Sequence, residues 1–103
     1  MPKAEIFAGG CGFNTEVEAT MDGNVCKLHI TSECDAIQRI AEELKEVATF
    51  HEISFQRGMP LIYEKAFKLC HHAACPVPSG MIKAVEIAAG LALPADATIK
   101  LSQ

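Results

Sequence analysis

The side chains best suited to chemistry are five cysteines and four histidines in a chain of 103 residues. Cys11 lies in a glycine-rich segment, Cys34 lies near the start of a predicted helix, and Cys75 directly precedes a proline. Each position is a loop or a helix start, where free backbone N–H groups stabilise a thiolate. Three thiolates that met at one point would repel one another unless a cation lay between them. The pattern therefore predicts a site for zinc or an iron–sulfur cluster.

Histidines next to Cys75 are candidates for completing such a site. Zinc takes four N or S ligands, or three and a water, and an iron–sulfur cluster usually takes four cysteines, some of which histidine can replace. Cys70 would also meet the count, but it belongs to the apolar stripe of a predicted helix and is expected in the core. Cys26 shares the buried face of a predicted strand and is expected there too. The predicted metal ligands are therefore Cys11, Cys34, Cys75, His71 and His72.

Two other functions fit the same residues. A thiol enzyme would use Cys75 as its nucleophile and His71 or His72 as the base. A non-catalytic binding or structural module would merely pack all five cysteines, and its paired histidines would lie at a helix end, where an imidazolium suits the helix dipole. The chain contains no CxxC, GxGxxG, GxxxxGK[ST] or HExxH motif. Motif spacing therefore does not choose among the three functions.

Composition excludes several classes of partner. The formal net charge is −4, and the nine Lys and Arg residues form no run. A protein that binds the nucleic-acid backbone or an anionic membrane needs a basic patch, so neither partner is expected. No apolar segment approaches the roughly 20 residues of a membrane span, and the first residues do not resemble a signal peptide. An odd number of cysteines without a signal peptide is atypical of secreted disulfide frameworks and indicates a cytoplasmic protein.

Apolar periodicity predicts the elements that carry these residues. Strict alternation over residues 16–30 predicts a β-hairpin with its turn at Asp22-Gly23. Helical spacing predicts three helices: one with Ser32 as its N-cap, one that starts at Pro60, and one over roughly 79–89. Exposed apolar surface on that third helix would indicate a homodimer or a protein partner.

The C-terminal segment 97–101 alternates again and predicts a final strand. Residues 1–103 then form one domain of the α+β class. Its small antiparallel sheet combines the N-terminal hairpin with this C-terminal strand, and about three helices pack on one face. In such a fold the first β-turn region and two helix starts can meet at one end of the sheet, which would bring the three candidate cysteines together.

Four segments carry a resemblance to a known family: CGFNTEVEA, HITSEC, HHAACPVPSGMIKAVEIAAG and LALP. Together they resemble a family of small uncharacterised prokaryotic proteins, many of them from anaerobes, and the resemblance covers nearly the whole chain. It implies a one-domain α+β protein in which the cysteines at positions 11, 34 and 75 are shared. It implies no particular activity.

Overall fold

Four antiparallel strands form a single sheet in the computed structural model, which describes residues 1–103. The strands lie side by side in chain order: β1 (Lys3–Phe7), β2 (Asn14–Asp22), β3 (Val25–Ser32) and β4 (Glu46–Ala48). The helices are α1 (Asp35–Glu43), α2 (Thr49–Glu52), α3 (Leu61–Leu69) and α4 (Val77–Ala88), and a 3₁₀ turn covers Phe55–Arg57. The predicted α+β class is confirmed.

The central hairpin forms where its alternation and turn residues predict it. Asp22 pairs with Val25, so that Gly23 and Asn24 alone make the turn. Gly23 has a φ of 65°, a left-handed conformation that glycine adopts without steric cost. Alternate side chains of the two strands enter the core, and the fully or almost fully buried ones are Val17, Ala19, Cys26 and Leu28.

The predicted C-terminal strand is wrong. Residues 97–101 have no strand partner and are fully on the surface. The fourth strand is instead β4, which follows α1 after two residues and pairs with β3 through Cys26 and Val47. Alternation shows only that a segment has an apolar side, and nothing within this chain covers that side of 97–101.

The first helix begins two residues later than predicted. Ser32 ends β3, where its hydroxyl lies 2.8 Å from that of Thr15 on the paired strand. Strand pairing therefore holds Ser32 in the sheet, and Cys34 becomes the N-cap residue of α1. The helix ends at Glu43, and Val47 belongs to β4.

Helix α4 covers the sheet next to β1 and β2, and it begins at Val77, two residues earlier than predicted. Gly80 in its first turn lies against Ile6, and a Cβ at that position would overlap the isoleucine side chain. The start of α4 therefore lies over the C-terminal end of β1. The inner face of the helix is covered within the chain, as the burial of Met81, Ala84 and Val85 indicates.

Helix α3 begins against a buried carboxylate. Glu52 is only 1 % exposed, and its two oxygens accept hydrogen bonds from the backbone N–H groups of Leu61 (2.9 Å) and Ile62 (2.8 Å). These bonds satisfy two N–H groups that a helix start otherwise leaves free. None of the helices combines the length and apolar character needed to cross a membrane.

Candidate thiol site

Three cysteines lie together where the ends of three helices meet. Cys34 is the N-cap residue of α1, Cys70 is the C-cap residue of α3, and Cys75 lies two residues before α4. All three are partly buried and pack against the same hydrophobic core. We call Cys34, Cys70 and Cys75 the thiol cluster.

Hydrogen bonds to the sheet fix the position of Cys34. Its backbone N–H donates to the Ser32 hydroxyl at 3.1 Å. The neighbouring Glu33 donates its backbone N–H to the carbonyl of Asn14 at 3.1 Å and accepts the N–H of Asn14 on its carboxylate at 2.7 Å. The start of β2 and the start of α1 are therefore tied together, and Cys34 lies at that junction.

The α3–α4 connection brings Cys70 and Cys75 to the same place. Cys70 ends α3 by donating its N–H to the carbonyl of Ala66 at 2.8 Å. The chain then turns so that the carbonyl of His72 accepts the N–H of Cys75 at 3.1 Å and faces the Sγ of Cys70 at 4.0 Å. Pro76 follows and directs the chain into α4. A tight turn between two helices thus places the two thiols side by side.

The surroundings of Cys75 raise the pKa of its thiol. Burial is the main cause, and the backbone N–H of Val77 acts in the opposite direction. The thiols of Cys70 and Cys34 raise this pKa further, because a thiolate at Cys75 would face negative charge on either neighbour. Cys75 therefore has both other cysteines as electrostatic neighbours, and its surroundings favour its neutral thiol.

Cys11 lies apart from the cluster, in the loop between β1 and β2. This loop makes a tight turn in which Gly12 donates its N–H to the carbonyl of Gly9 at 2.9 Å, and both glycines have positive φ. The Cys11 side chain is exposed. Only two residues separate it from Asn14, which hydrogen bonds to Glu33 beside Cys34. Cys11 therefore belongs to the same end of the sheet as the cluster.

His71 and His72 are both exposed, and they follow α3 instead of lying in its last turn as expected, because the helix ends at Leu69. His72 contributes its backbone carbonyl to the turn, as described above. No three His, Cys, Asp or Glu side chains in the structure are placed so that they could hold a metal ion.

The sequence predicted two of the three cysteines of the thiol cluster as site residues but not the third. Cys34 and Cys75 were predicted as site residues, whereas Cys70 was assigned to the core because it continues the apolar stripe of its helix. It is only partly buried and interacts with Cys75 through its side chain. No sequence signal marked this position, because α3 ends at Leu69, seven residues before Pro76. Cys26 is fully buried, as predicted.

Comparison with known proteins gives the family. A sequence model described as "Family of unknown function (DUF6951)" matches residues 2–101. The chain belongs to this family. The match covers almost the whole domain, including every cysteine, and agrees with the predicted membership in an uncharacterised family. Neither the curated proteins nor the solved structures contain a match to the chain.

Proposed function

We propose that this protein binds a zinc ion or an iron–sulfur cluster through Cys34, Cys70 and Cys75, and that it serves as a redox or metal accessory protein. The observation that carries the proposal is that Cys75, just before α4, has two other helix-end cysteines, Cys34 and Cys70, as electrostatic neighbours. Thiolates are the preferred protein ligands of both groups. A dication would favour the thiolate form of Cys75, which burial and these neighbours otherwise disfavour.

One group near Cys75 suits a bound thiolate. The backbone N–H of Val77 acts to lower the pKa of the Cys75 thiol, against the larger effect of burial, and so favours the anionic form that a metal ligand takes. No three His, Cys, Asp or Glu side chains in the structure are placed so that they could hold a metal ion. Binding therefore requires a rearrangement that brings the sulfurs to the metal–sulfur distance of about 2.3 Å.

Cys11 is the fourth ligand in this proposal. Its loop is joined to the start of β2, and three residues span at most roughly 10 Å from Asn14, close enough to reach over Cys34. The exposed turn can also change conformation without disturbing the core, because Gly9 and Gly12 tolerate a wide range of backbone angles. His71 and His72 are the alternative fourth ligands, and both follow Cys70 directly.

A thiol enzyme with Cys75 as nucleophile is less well supported. Such an enzyme needs a depressed cysteine pKa or an adjacent base. The pKa of Cys75 is instead raised by burial and by the neighbouring thiols. We also propose a cytoplasmic location, where thiols stay reduced and available to a metal.

Anaerobic purification followed by elemental analysis and a visible spectrum tests the proposal. We expect either about one zinc per chain and no colour, or iron and sulfide together with absorption in the visible range. Cys34→Ser, Cys70→Ser and Cys75→Ser should each lower metal content strongly. The matched control is Cys26→Ala, which removes a thiol from the core on β3 and should leave metal content per folded chain unchanged.

The same experiment can refute the proposal. Wild-type protein that stays free of metal, even after reconstitution with zinc or with iron and sulfide, would leave the module of merely packed cysteines as the better account. Equal metal content in Cys26→Ala and in all three cluster variants would do the same.

A second set of variants identifies the fourth ligand. Cys11→Ser should weaken metal binding, whereas His71→Ala and His72→Ala should not. The reverse pattern would exclude Cys11 and assign the position to a histidine.

A further inference from the structure

The last segment of the chain has the alternating apolar pattern of a strand but pairs with nothing in its own chain. Residues 94–103 are exposed throughout, and within them Ala97, Ile99 and Leu101 alternate with polar residues. Leu101 is 89 % exposed and Ile99 is 79 % exposed. The longest axis of the molecule measures 43 Å, against 28 and 26 Å for the other two, so the domain is distinctly elongated. We call residues 97–101 the tail strand.

The sheet has an open edge along β1. This strand pairs only with β2, so its other edge is open. The carbonyl of Pro2 accepts the N–H of Ala19 in β2, and Ala8 donates its N–H to the carbonyl of Phe13 just before β2. Because hydrogen bonding alternates along an antiparallel strand, Lys3, Glu5 and Phe7 direct their N–H and C=O groups to the open edge. An open edge of this kind readily pairs with another extended segment.

The side chains of the two segments also match. Ala4 and Ile6 face the helix layer beside α4, and a strand added at this edge would extend that layer with Ile99 and Leu101. The opposite face of the sheet carries an excess of negative charge here. Lys3 lies 3.3 Å from the carboxylate of Glu5 and 3.9 Å from that of Glu16, so one ammonium group faces two carboxylates.

Lys100 is the only charged residue of the tail strand, and it lies on the face opposite Ile99 and Leu101. When these two side chains face the helix layer, Lys100 lies on the acidic face beside Glu5. Apolar contact and charge therefore require the same orientation of the tail strand, and a one-residue shift would lose both.

We propose that the tail strand of one copy adds to the β1 edge of a second copy, and that two copies exchange tail strands reciprocally. Each chain has one tail strand and one β1 edge, so two chains that exchange tail strands satisfy both and the assembly closes. The exchange gives the backbone groups of Lys3, Glu5 and Phe7 hydrogen-bond partners and removes two large apolar side chains per chain from water. The proposal is independent of metal binding.

The solution mass of the full-length protein tests this proposal by sedimentation or light scattering over a concentration series. We expect a dimer with twice the 11.1 kDa chain mass. Leu101→Glu should raise the dimer dissociation constant at least about tenfold, because burying a leucine side chain strengthens association by about that factor or more. Leu93→Glu is the matched control, because Leu93 is as exposed at 88 % but lies before Pro94, outside the tail strand. It should leave the dissociation constant unchanged.

A charge exchange tests the orientation. Lys100→Glu should raise the dissociation constant about two- to fivefold, the range typical of exposed ion pairs, and Glu5→Lys in the same chain should restore it. Hydrogen exchange at the amides of Glu5 and Phe7 should slow as the dimer forms.

Three results would overturn the proposal. One is a wild-type protein that stays monomeric at 100 µM or above. Protected β1 amides in such a monomer would mean that the tail strand docks on its own chain. Another is a dimer that Leu101→Glu and Leu93→Glu leave equally intact. The third is a dimer in which the Glu5 and Phe7 amides exchange as fast as in the dilute monomer.

Discussion

Cys75 is the residue on which the proposed metal site depends most. It shares its surroundings with two other thiols, and burial together with those neighbours raises its pKa. A thiol of this kind reacts slowly by itself but can lose its proton to a metal ion. The same environment therefore opposes catalysis by a free thiolate and suits ligation.

The first prediction concerns thiol reactivity in the metal-free, reduced protein. Cys11 should react with iodoacetamide at about the rate of free cysteine at pH 7.5, because it is exposed. Cys75 should react more slowly, because its raised pKa leaves less thiolate. Peptide mapping by mass spectrometry over time measures both rates, and Cys26 in the core supplies the slow reference. A rate at Cys75 above that of free cysteine would favour the thiol enzyme.

The second prediction concerns the pH dependence of stability. The folded pKa of Cys75 lies above its ordinary value of 9.0. Unfolded chains therefore lose this proton first, and the stability that the neutral thiol contributes is complete below pH 9.0 and is lost as the pH rises through the folded value. The free energy of unfolding of the metal-free protein should fall above that pH.

Urea titrations at several pH values under reducing conditions measure this fall. Cys75→Ala should make it shallower, although Cys26, whose pKa burial also raises, will keep part of it. Cys11→Ala is the control and should follow the wild type. If the free energy of unfolding falls with pH as steeply in Cys75→Ala as in the wild type, the Cys75 thiol keeps an ordinary pKa.

At the scale of elements, the connection between α2 and α3 decides where the third helix starts. The buried carboxylate of Glu52 accepts two N–H groups at 2.9 and 2.8 Å. Since α3 carries Cys70 at its end, this cap also sets the position of one member of the thiol cluster.

The third prediction follows from this cap. Glu52→Gln should destabilise the protein by about 1–3 kcal/mol, because one buried acceptor is replaced by an amide that donates. Equilibrium unfolding in urea measures the loss. Glu43→Gln is the matched control, since Glu43 makes an exposed ion pair with Lys65 that contributes at most about 1 kcal/mol. Equal losses in the two variants would mean that the cap does not stabilise α3.

Sequence periodicity predicted the elements that bury one face. The hairpin, the three longer helices and the core positions on β2 and β3 follow from alternation and helical spacing. Helix starts were less predictable, because Ser32 has two competing partners and the strand pairing with Thr15 prevails. The segment 97–101 has the pattern of a strand, but no sequence pattern states whether the same chain covers it.

The candidate site was only partly predictable for a related reason. Cys34 and Cys75 could be recognised from their places at helix starts. Cys70 could not, because an apolar stripe does not show where a helix end leaves the core. The meeting of the three thiols depends on the packing of α1, α3 and α4, which no local pattern encodes.

At the scale of the whole molecule, the thiol cluster lies at the ends of three helices, α1, α3 and α4. A metal bound there would link residues that are 41 positions apart in the chain, from Cys34 to Cys75. Anything that binds only the folded state stabilises it by mass action.

The fourth prediction is that metal removal lowers the stability of the whole domain. Thermal unfolding should occur several degrees lower after chelation, since about 1 kcal/mol shifts the midpoint by roughly 4–8 °C in a domain of this size. Cys75→Ser should unfold at the same temperature with and without chelator, whereas the Cys26→Ala control should keep the wild-type difference. If chelation leaves the midpoint of the metal-loaded wild type unchanged, the metal does not stabilise the folded domain and the prediction is wrong.

The ligand atoms around the bound metal test the central claim most directly. X-ray absorption at the zinc or iron edge of the anaerobically purified protein reports the number and type of these atoms. For bound zinc we predict four sulfur ligands at about 2.3 Å, and three after Cys11→Ser. For a cluster we predict iron with mainly sulfur neighbours. A first shell of oxygen or nitrogen atoms with no more than one sulfur would contradict it.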